Sequence, residues 1–167
     1  MQPQPVAVNI TAKHFSDPAL YDYIQHKLSL LALPPDCLQL EITEGVAMDN
    51  SPAILENLNA FRSAGIKVAI DDFGTGYSSL SYLKKMPMDC IKIDKSFLSG
   101  MLDNAADFQI IASTIAMVQK LQLQVVAEGV ETREQLELLR QQGCDIAQGY
   151  LIARPIPQAE LAGFLEE

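Results

Sequence analysis

The sequence of 167 residues predicts an α/β fold: an incomplete (β/α) barrel with about six of the usual eight β/α units. Short β-branched runs alternate with segments whose apolar residues recur every three or four positions, an order typical of a parallel sheet covered by helices. In most runs one set of alternating positions is aliphatic, while the other carries small residues and then a polar or charged one. A sheet with helices on both faces would be aliphatic on both, so this pattern favours a barrel.

The predicted strands are short runs rich in Val and Ile, each followed by turn residues. They are Val6–Thr11, Leu38–Thr43, Lys67–Asp72, Cys90–Asp94, Gln124–Glu128 and Ile146–Tyr150. Apolar residues with helical spacing predict helices between them, and the clearest such stretches are Leu20–Leu31, Ile54–Phe61 and Phe108–Leu121. The length and composition are typical of one domain, here residues 1–167.

Capping residues mark the expected ends of the helices. The pairs Asp17–Pro18 and Ser51–Pro52 each place an N-cap residue directly before a first-turn proline. The segment Thr132–Gln135 has the spacing of a capping box, in which two side chains satisfy backbone groups reciprocally. Gly65 and Gly143 are predicted to end helices just before the next strand, because glycine readily adopts a left-handed backbone conformation.

The charge balance argues against two classes of partner. The 21 acidic residues outnumber the 12 basic ones and give a net charge of −9, so we expect no DNA binding and no membrane contact. No apolar run approaches the roughly 18 residues that a membrane helix needs. The three cysteines, Cys37, Cys90 and Cys144, are far apart and form no CxxC pair. They indicate reduced thiols in a cytoplasmic protein rather than disulfides or a zinc site.

Polar side chains gather near the carboxyl ends of the predicted strands, where the mouth of a barrel lies. They are Asn9, Glu41, Asp71, Asp72, Lys92, Glu128 and Gln148. Neighbouring carboxylates repel one another, and oxygen ligands of this kind suit hard divalent cations such as Mg²⁺ or Mn²⁺. The adjacent aspartates suit a pair of ions: Asp71 points inward and can bridge them, while Asp72 turns inward only because the strand ends there. Two such ions are the usual device for phosphodiester hydrolysis.

Six motifs occur in order along nearly the whole chain. They are Val8–Thr11, Leu40–Glu44, Asp71–Leu80 (DDFGTGYSSL), Ile91–Asp94, Ala127–Glu131 and Gln148–Leu151. In these motifs the chain resembles the EAL family of cyclic di-GMP phosphodiesterases. The resemblance implies a TIM-like barrel with an antiparallel first strand, two Mg²⁺ or Mn²⁺ ions, and hydrolysis of cyclic di-GMP to linear pGpG. By position, Asn9, Glu41 and Asp71 would bind the first metal, and Asp71, Asp72 and Glu128 the second.

The resemblance implies further roles at matched positions. Lys92 would hold the attacking water or hydroxide, and Glu128 is also a candidate general base. Gln148 would lie beside the metal-bound water and the ligand. The loop from residue 73 to residue 80, steadied by Glu44, would couple dimer formation to the geometry of the two aspartates. Its first residues are Phe73, Gly74, Thr75, Gly76 and Tyr77.

The chain departs from the family pattern at its start. It has no Glu-Ala-Leu motif and begins where the family's third strand would begin, so we expect an N-terminally truncated EAL-type domain from a larger bacterial protein, multidomain or membrane-anchored. The missing Glu is a ligand of the first metal, so we expect weak or no turnover by this chain alone. Open strand edges at Val6–Thr11 and Ile146–Tyr150 invite homodimer formation or other self-association.

The same residues bear on functions other than hydrolysis. The alternative is a non-catalytic module that binds cyclic di-GMP or serves regulation or dimerisation, although every matched catalytic position keeps a competent residue. Proton abstraction of the enolase type would use Glu41, Asp71 and Lys92, but it does not explain the paired aspartates. The Asp72–Gly74 triplet also occurs in protein kinases, but no glycine-rich phosphate loop or His-Arg-Asp segment precedes it here.

Overall fold

The computed structural model describes residues 5–49, 51–74 and 83–165. Its strands form one sheet in the order in which they occur along the chain. They are β1 (Val6–Asn9), β2 (Leu38–Thr43), β3 (Lys67–Phe73), β4 (Cys90–Ile93), β5 (Gln124–Glu128) and β6 (Ile146–Gln148). Neighbouring strands in this list are parallel, and together they form a half-barrel. The predicted incomplete barrel is therefore confirmed, and the antiparallel first strand implied by the resemblance is not among the described strands.

Helices follow the strands and cover the outer face of the sheet. They are α1 (Ala12–Phe15), α2 (Leu20–Leu30), α3 (Glu44–Ala47), α4 (Pro52–Ser63), α5 (Lys95–Leu98), α6 (Ala105–Lys120), α7 (Arg133–Gln141) and α8 (Gln158–Phe164). No helix in the described ranges is long and apolar enough to span a bilayer.

Most of the predicted helix ends are confirmed. Ser51 is the N-cap of α4, and Thr132 and Gln135 form the reciprocal capping box at the start of α7. Gly65 and Gly143 follow α4 and α7 with φ angles of +83° and +79°. These angles lie in the left-handed region, where a residue without a Cβ has the least strain.

Other predicted boundaries are wrong. Asp17 is not the N-cap of α2: its Oδ1 accepts a hydrogen bond from the Ala19 N–H at 2.9 Å, which closes a turn before the helix begins at Leu20. The first strand stops two residues early because Thr11 is the N-cap of α1. The last strand stops at Gln148, whose carbonyl accepts a hydrogen bond from Val130 as the chain turns away.

The two faces of the sheet differ as the alternating pattern predicts. Aliphatic residues on the helix-covered face, such as Ile70 and Ile91, belong to the main apolar core and are fully buried. The interior face carries a separate small cluster of Ala69, Cys90 and Val126. These interior residues lie below the polar residues at the strand ends, so the floor of the site is apolar and closely packed.

Two aspartates fix the stagger of the strands that carry the site. Asp89, just before β4, accepts a hydrogen bond from the Val68 N–H through its Oδ2 at 2.9 Å, and its own N–H donates to the Val68 carbonyl. Asp145, just before β6, accepts from the Val125 N–H at 2.8 Å in the same manner. Each aspartate therefore ties the start of one strand to the preceding strand of the sheet.

The sheet has an edge on each side. Among the described strands, β1 pairs with β2 and β6 pairs with β5, and neither has a second neighbour. Val6 and Val8, expected to pack under helices, are 58% and 41% exposed because β1 is covered poorly on both faces. Helix α8 has no buried residue, and its Leu161 and Phe164 are exposed. Apolar side chains are thus exposed on both β1 and α8.

Candidate functional site

The predicted polar residues lie at the carboxyl end of the sheet, on its interior side. Asn9 is in register with Glu41 on the neighbouring strand, and Glu128 is in register with Gln148. In parallel strands, residues in register project to the same face of the sheet. The side chains of Asn9 and Gln148 are exposed, whereas that of Glu41 is buried.

Lys92 lies at the centre of the site. Its Nζ is 2.7 Å from Glu41 Oε2, 2.9 Å from Asp71 Oδ1 and 2.7 Å from Glu128 Oε1, and the residue is 4% exposed. Three carboxylates match the three N–H donors of an ammonium group. Burial alone would lower the pKa of Lys92, but the hydrogen bonds to Glu128, Glu41 and Asp71 outweigh burial and raise it. Lys92 is therefore a permanent cation in this cluster.

Glu41 has a second partner that the sequence analysis did not identify. The Gln39 side-chain amide donates to Glu41 Oε1 at 3.4 Å, while Lys92 bonds the other carboxylate oxygen. Gln39 lies two residues before Glu41 on the same strand, so the two side chains share a face. The period-two pattern contained this signal, because Gln39 is the interior-facing residue next to a predicted ligand.

A β-bulge brings Asp72 to the interior. The pairing of β3 with β4 shifts register between Ile70 and Phe73, and Asp72 has a φ of +53°. The prediction that Asp72 turns inward because the strand ends is therefore wrong, since β3 continues to Phe73, which pairs with Ile93. An inserted residue in the left-handed region is what turns two successive aspartates toward one side.

Three carboxylates form an oxygen cluster that could hold a cation. Single oxygen atoms of Asp71, Asp72 and Glu128 all lie within 4.8 Å of one another. The pKa of Asp72 is raised by burial and then by the charge of Asp71, and the pKa of Glu128 is raised by burial despite its hydrogen bond with Lys92. The three carboxylates therefore repel one another, and a bound divalent cation would offset this repulsion. Glu41 is outside this group of three.

The backbone just after the bulge is held by Glu44. This side chain is 4% exposed, and its Oε2 accepts a hydrogen bond from the Gly74 N–H at 3.0 Å. The first part of the predicted loop therefore contacts Glu44 as expected. Thr75, Gly76 and Tyr77 lie outside the described residues.

A cavity of about 230 Å³ adjoins the carboxylate cluster. Its walls include Glu128, Gln148, Lys95 and Tyr150, so it offers one cation and one aromatic ring beside the carboxylates. The Arg154 guanidinium lies 4.7 Å from the centre of the Tyr150 ring, a cation–π distance. The sequence analysis gave no role to Lys95, which follows the predicted strand Cys90–Asp94, or to Tyr150, which it placed within the motif Gln148–Leu151.

Cys90 is the nearest thiol to the site and is not a nucleophile. Burial, followed by the charge of Glu41, raises the pKa of the Cys90 thiol to about 12. The thiol is therefore neutral at physiological pH, and only a thiolate is strongly nucleophilic. The chemistry of the site rests on its carboxylates and on Lys92.

The sequence model of the EAL domain family matches residues 1–155. Among curated proteins, the cyclic di-GMP phosphodiesterase NbdA of Pseudomonas aeruginosa is 45% identical over 160 residues, which make up 96% of this chain and 20% of NbdA. The chain thus spans a fifth of the length of that relative.

Solved structures give the same result. The PaMucR phosphodiesterase in complex with c-di-GMP has a TM-score of 0.88 at 41% identity, and the match covers 94% of this chain and 64% of that one. The Klebsiella pneumoniae BlrP1 complex with manganese and cy-diGMP has a TM-score of 0.83 at 34% identity, covering 92% of this chain and 39% of the other. Both of these structures are complexes with the cyclic dinucleotide, and the BlrP1 structure is a complex with manganese as well.

Proposed function

The chain belongs to the EAL domain family, and from this we propose that it is part of a bacterial cytoplasmic phosphodiesterase domain that hydrolyses cyclic di-GMP to linear pGpG. Residues 1–167 would belong to a single domain of this kind. The observation that supports this best is the cluster of Glu41, Asp71 and Glu128 around Lys92, next to the bulged Asp72. Such a set of oxygen ligands with one buried cation suits hydrolysis of a phosphodiester.

The donor set fits two Mg²⁺ or Mn²⁺ ions. Asp71, Asp72 and Glu128 would hold one ion, since their oxygens are already close together and their repulsion is only partly compensated. Asn9, Glu41 and Asp71 would hold the other, since Asn9 and Glu41 are in register. Bound divalent cations would neutralise charge on the phosphodiester and lower the pKa of a water molecule.

The protein's own groups then have distinct tasks. Glu128 is a suitable general base, because its raised pKa lets it accept a proton from the attacking water. The water oxygen bonds to phosphorus, the bond from phosphorus to the 3′ oxygen breaks, and the leaving oxygen is protonated from solvent. Lys92 uses all three N–H groups on carboxylates here, so it can orient the water only after Asp71 or Glu128 turns away from it.

The neighbouring cavity would hold part of the dinucleotide. Tyr150, stacked with Arg154, offers a flat surface for a guanine base, and Lys95 offers a positive charge to a phosphate. Gln148 and Glu128 line the same cavity, so a nucleotide bound there would place its phosphodiester near the carboxylates. These contacts would supply the positive charge that an acidic chain needs locally to bind an anion.

The proposed function is tested by binding and product analysis on the purified chain. We expect calorimetry to show binding of cyclic di-GMP only when Mg²⁺ or Mn²⁺ is present. Mass spectrometry should show slow conversion to one product heavier by a single water, and Asp71→Asn should abolish it. A folded chain that binds no cyclic di-GMP with either cation would contradict the proposal, and conversion that continues unchanged in Asp71→Asn would contradict its hydrolytic step.

We further propose that the chain self-associates as a homodimer through its exposed strand edges. The Ile10 N–H bonds to the Glu41 carbonyl, so by alternation the Ala7 N–H points away from β2, toward the free edge. We expect light scattering to give a mass above the 18.3 kDa of one chain, and Ala7→Pro to reduce it to the monomer mass.

A matched variant separates edge pairing from general damage to the sheet. In Val8→Pro the lost N–H faces β2, so we expect this change to lower the melting temperature more than Ala7→Pro does. A wild-type chain that is monomeric at all concentrations, or an Ala7→Pro variant that remains dimeric, would contradict association through β1.

A further inference from the structure

We propose that Phe97 is a positioning residue for the carboxylates of the bulge: its ring packs on Gly74 and so fixes the turn that presents Asp71 and Asp72. The inference rests on the proposed function for its consequence, since the two aspartates matter as ligands of a cation.

The ring and the glycine are in close contact. A Cβ placed on Gly74 would lie 2.8 Å from both Cε2 and Cζ of Phe97, so no side chain fits between the Gly74 backbone and the ring. Gly74 also has a φ of +100°, which other residues adopt only with strain. The close approach and the backbone conformation therefore both require glycine at this position, and the close approach exists because of Phe97.

The position of Phe97 in the fold keeps its ring against Gly74. It lies on α5, the short helix that follows β4 directly, and the Asp94 side chain caps this helix by accepting from the Ser96 N–H at 3.0 Å. The strand that carries Lys92 thus leads within five residues to the ring that contacts Gly74. Phe97 is half-buried and packs against the main core.

The bulge needs such support because its own pairing is interrupted. Between Ile70 and Phe73 the register with β4 shifts, and Asp72 sits in the left-handed region, a conformation that persists only when its surroundings enforce it. Beyond the bulge, the chain is fixed at Gly74 by the Glu44 hydrogen bond and by the Phe97 ring. A cavity of about 190 Å³ adjoins this ring, so a smaller side chain would leave Gly74 facing empty space.

Two variants test this role: Phe97→Leu and, as a matched control, Phe108→Leu. Phe108 is also a half-buried phenylalanine packed against the core, but it lies on α6. We expect Phe97→Leu to speed hydrogen exchange of the Gly74 amide at least about tenfold and to weaken Mn²⁺ binding, measured by electron paramagnetic resonance, about 10-fold or more.

The control separates positioning from loss of stability. We expect Phe108→Leu to lower the melting temperature at least as much as Phe97→Leu while leaving Gly74 exchange and Mn²⁺ affinity unchanged. Unchanged Gly74 exchange in Phe97→Leu would overturn the contact, and faster exchange with unchanged Mn²⁺ affinity would overturn the positioning role. A wild-type chain that binds no Mn²⁺ would overturn the proposed function together with this role, and that outcome is seen before any variant is made.

Discussion

Replacing Lys92 by methionine should reduce the stability of the metal-free protein more than any other single change at the site. Methionine keeps the length of the side chain but removes the cation that Glu41, Asp71 and Glu128 share. Breaking a buried ion pair by removing one partner typically costs about 3–5 kcal/mol, because the remaining charge is left buried without compensation. We expect a loss of this size in Lys92→Met, measured by urea unfolding without divalent cations.

The same variant should respond more strongly to metal than the wild type does. Without Lys92, a divalent cation no longer competes with an ammonium group for the carboxylates, so Mn²⁺ should raise the melting temperature of Lys92→Met by more than that of wild type. Lys67→Met serves as the control, because Lys67 is an exposed lysine on the same sheet and its loss should change stability by about 0.5 kcal/mol or less. Equal stability of the two variants would show that the Lys92 cluster is not formed in solution.

Exchanging Glu128 for glutamine should reduce catalysis as strongly as Asp71→Asn does. Glutamine keeps the shape of the side chain and an oxygen that can still accept a hydrogen bond from Lys92, but it cannot take a proton from water. Loss of a general base typically lowers the rate by about 10²–10⁴-fold, and loss of a metal ligand should weaken Mn²⁺ binding by at least about 10–100-fold. We therefore expect the slow conversion of cyclic di-GMP to fall below detection in Glu128→Gln.

Two measurements show whether Glu128→Gln loses conversion because a reacting group is missing or because the protein is less stable. The melting temperature of Glu128→Gln should stay close to that of wild type, since the variant keeps the packing around Lys92. Glu56→Gln, an exposed carboxylate on α4, should leave conversion and Mn²⁺ affinity as they are. Conversion by Glu128→Gln at the wild-type rate would exclude Glu128 as the base and as a ligand.

The strand faces and the general place of the polar residues could be read from the sequence. Alternation within each strand separates Ile70 and Ile91, which reach the helices, from Ala69 and Cys90, which face the interior. This works because a strand has a fixed period of two, so local spacing is enough. The capping box at Thr132 is likewise local, and it is confirmed.

The features that the sequence did not reveal depend on contacts between distant segments. Glu41 is in register with Ala69, which is in register with Cys90. Lys92 therefore lies two residues further toward the carboxyl end of its strand than the residue level with Glu41. No pattern within a single strand contains this stagger between strands. The bulge at Asp72 depends on how β3 pairs with β4, and the contact of Phe97 with Gly74 joins helix α5 to the turn after β3. Sequence spacing could therefore place the charged groups at one mouth but not show that Lys92 occupies its centre.

The strictly sequential order of the sheet has a consequence for synthesis. Because each new strand adds to the edge formed by the one before it, the half-barrel can assemble in the direction in which a ribosome extends the chain. Glu41 and Asp71 emerge first, and Lys92 arrives next to offset their repulsion before Glu128 is made. The nascent protein thus gains the ammonium group of Lys92 before the last of the three carboxylates is made. Only Glu41 and Asp71 lie together in the interior before that group is present.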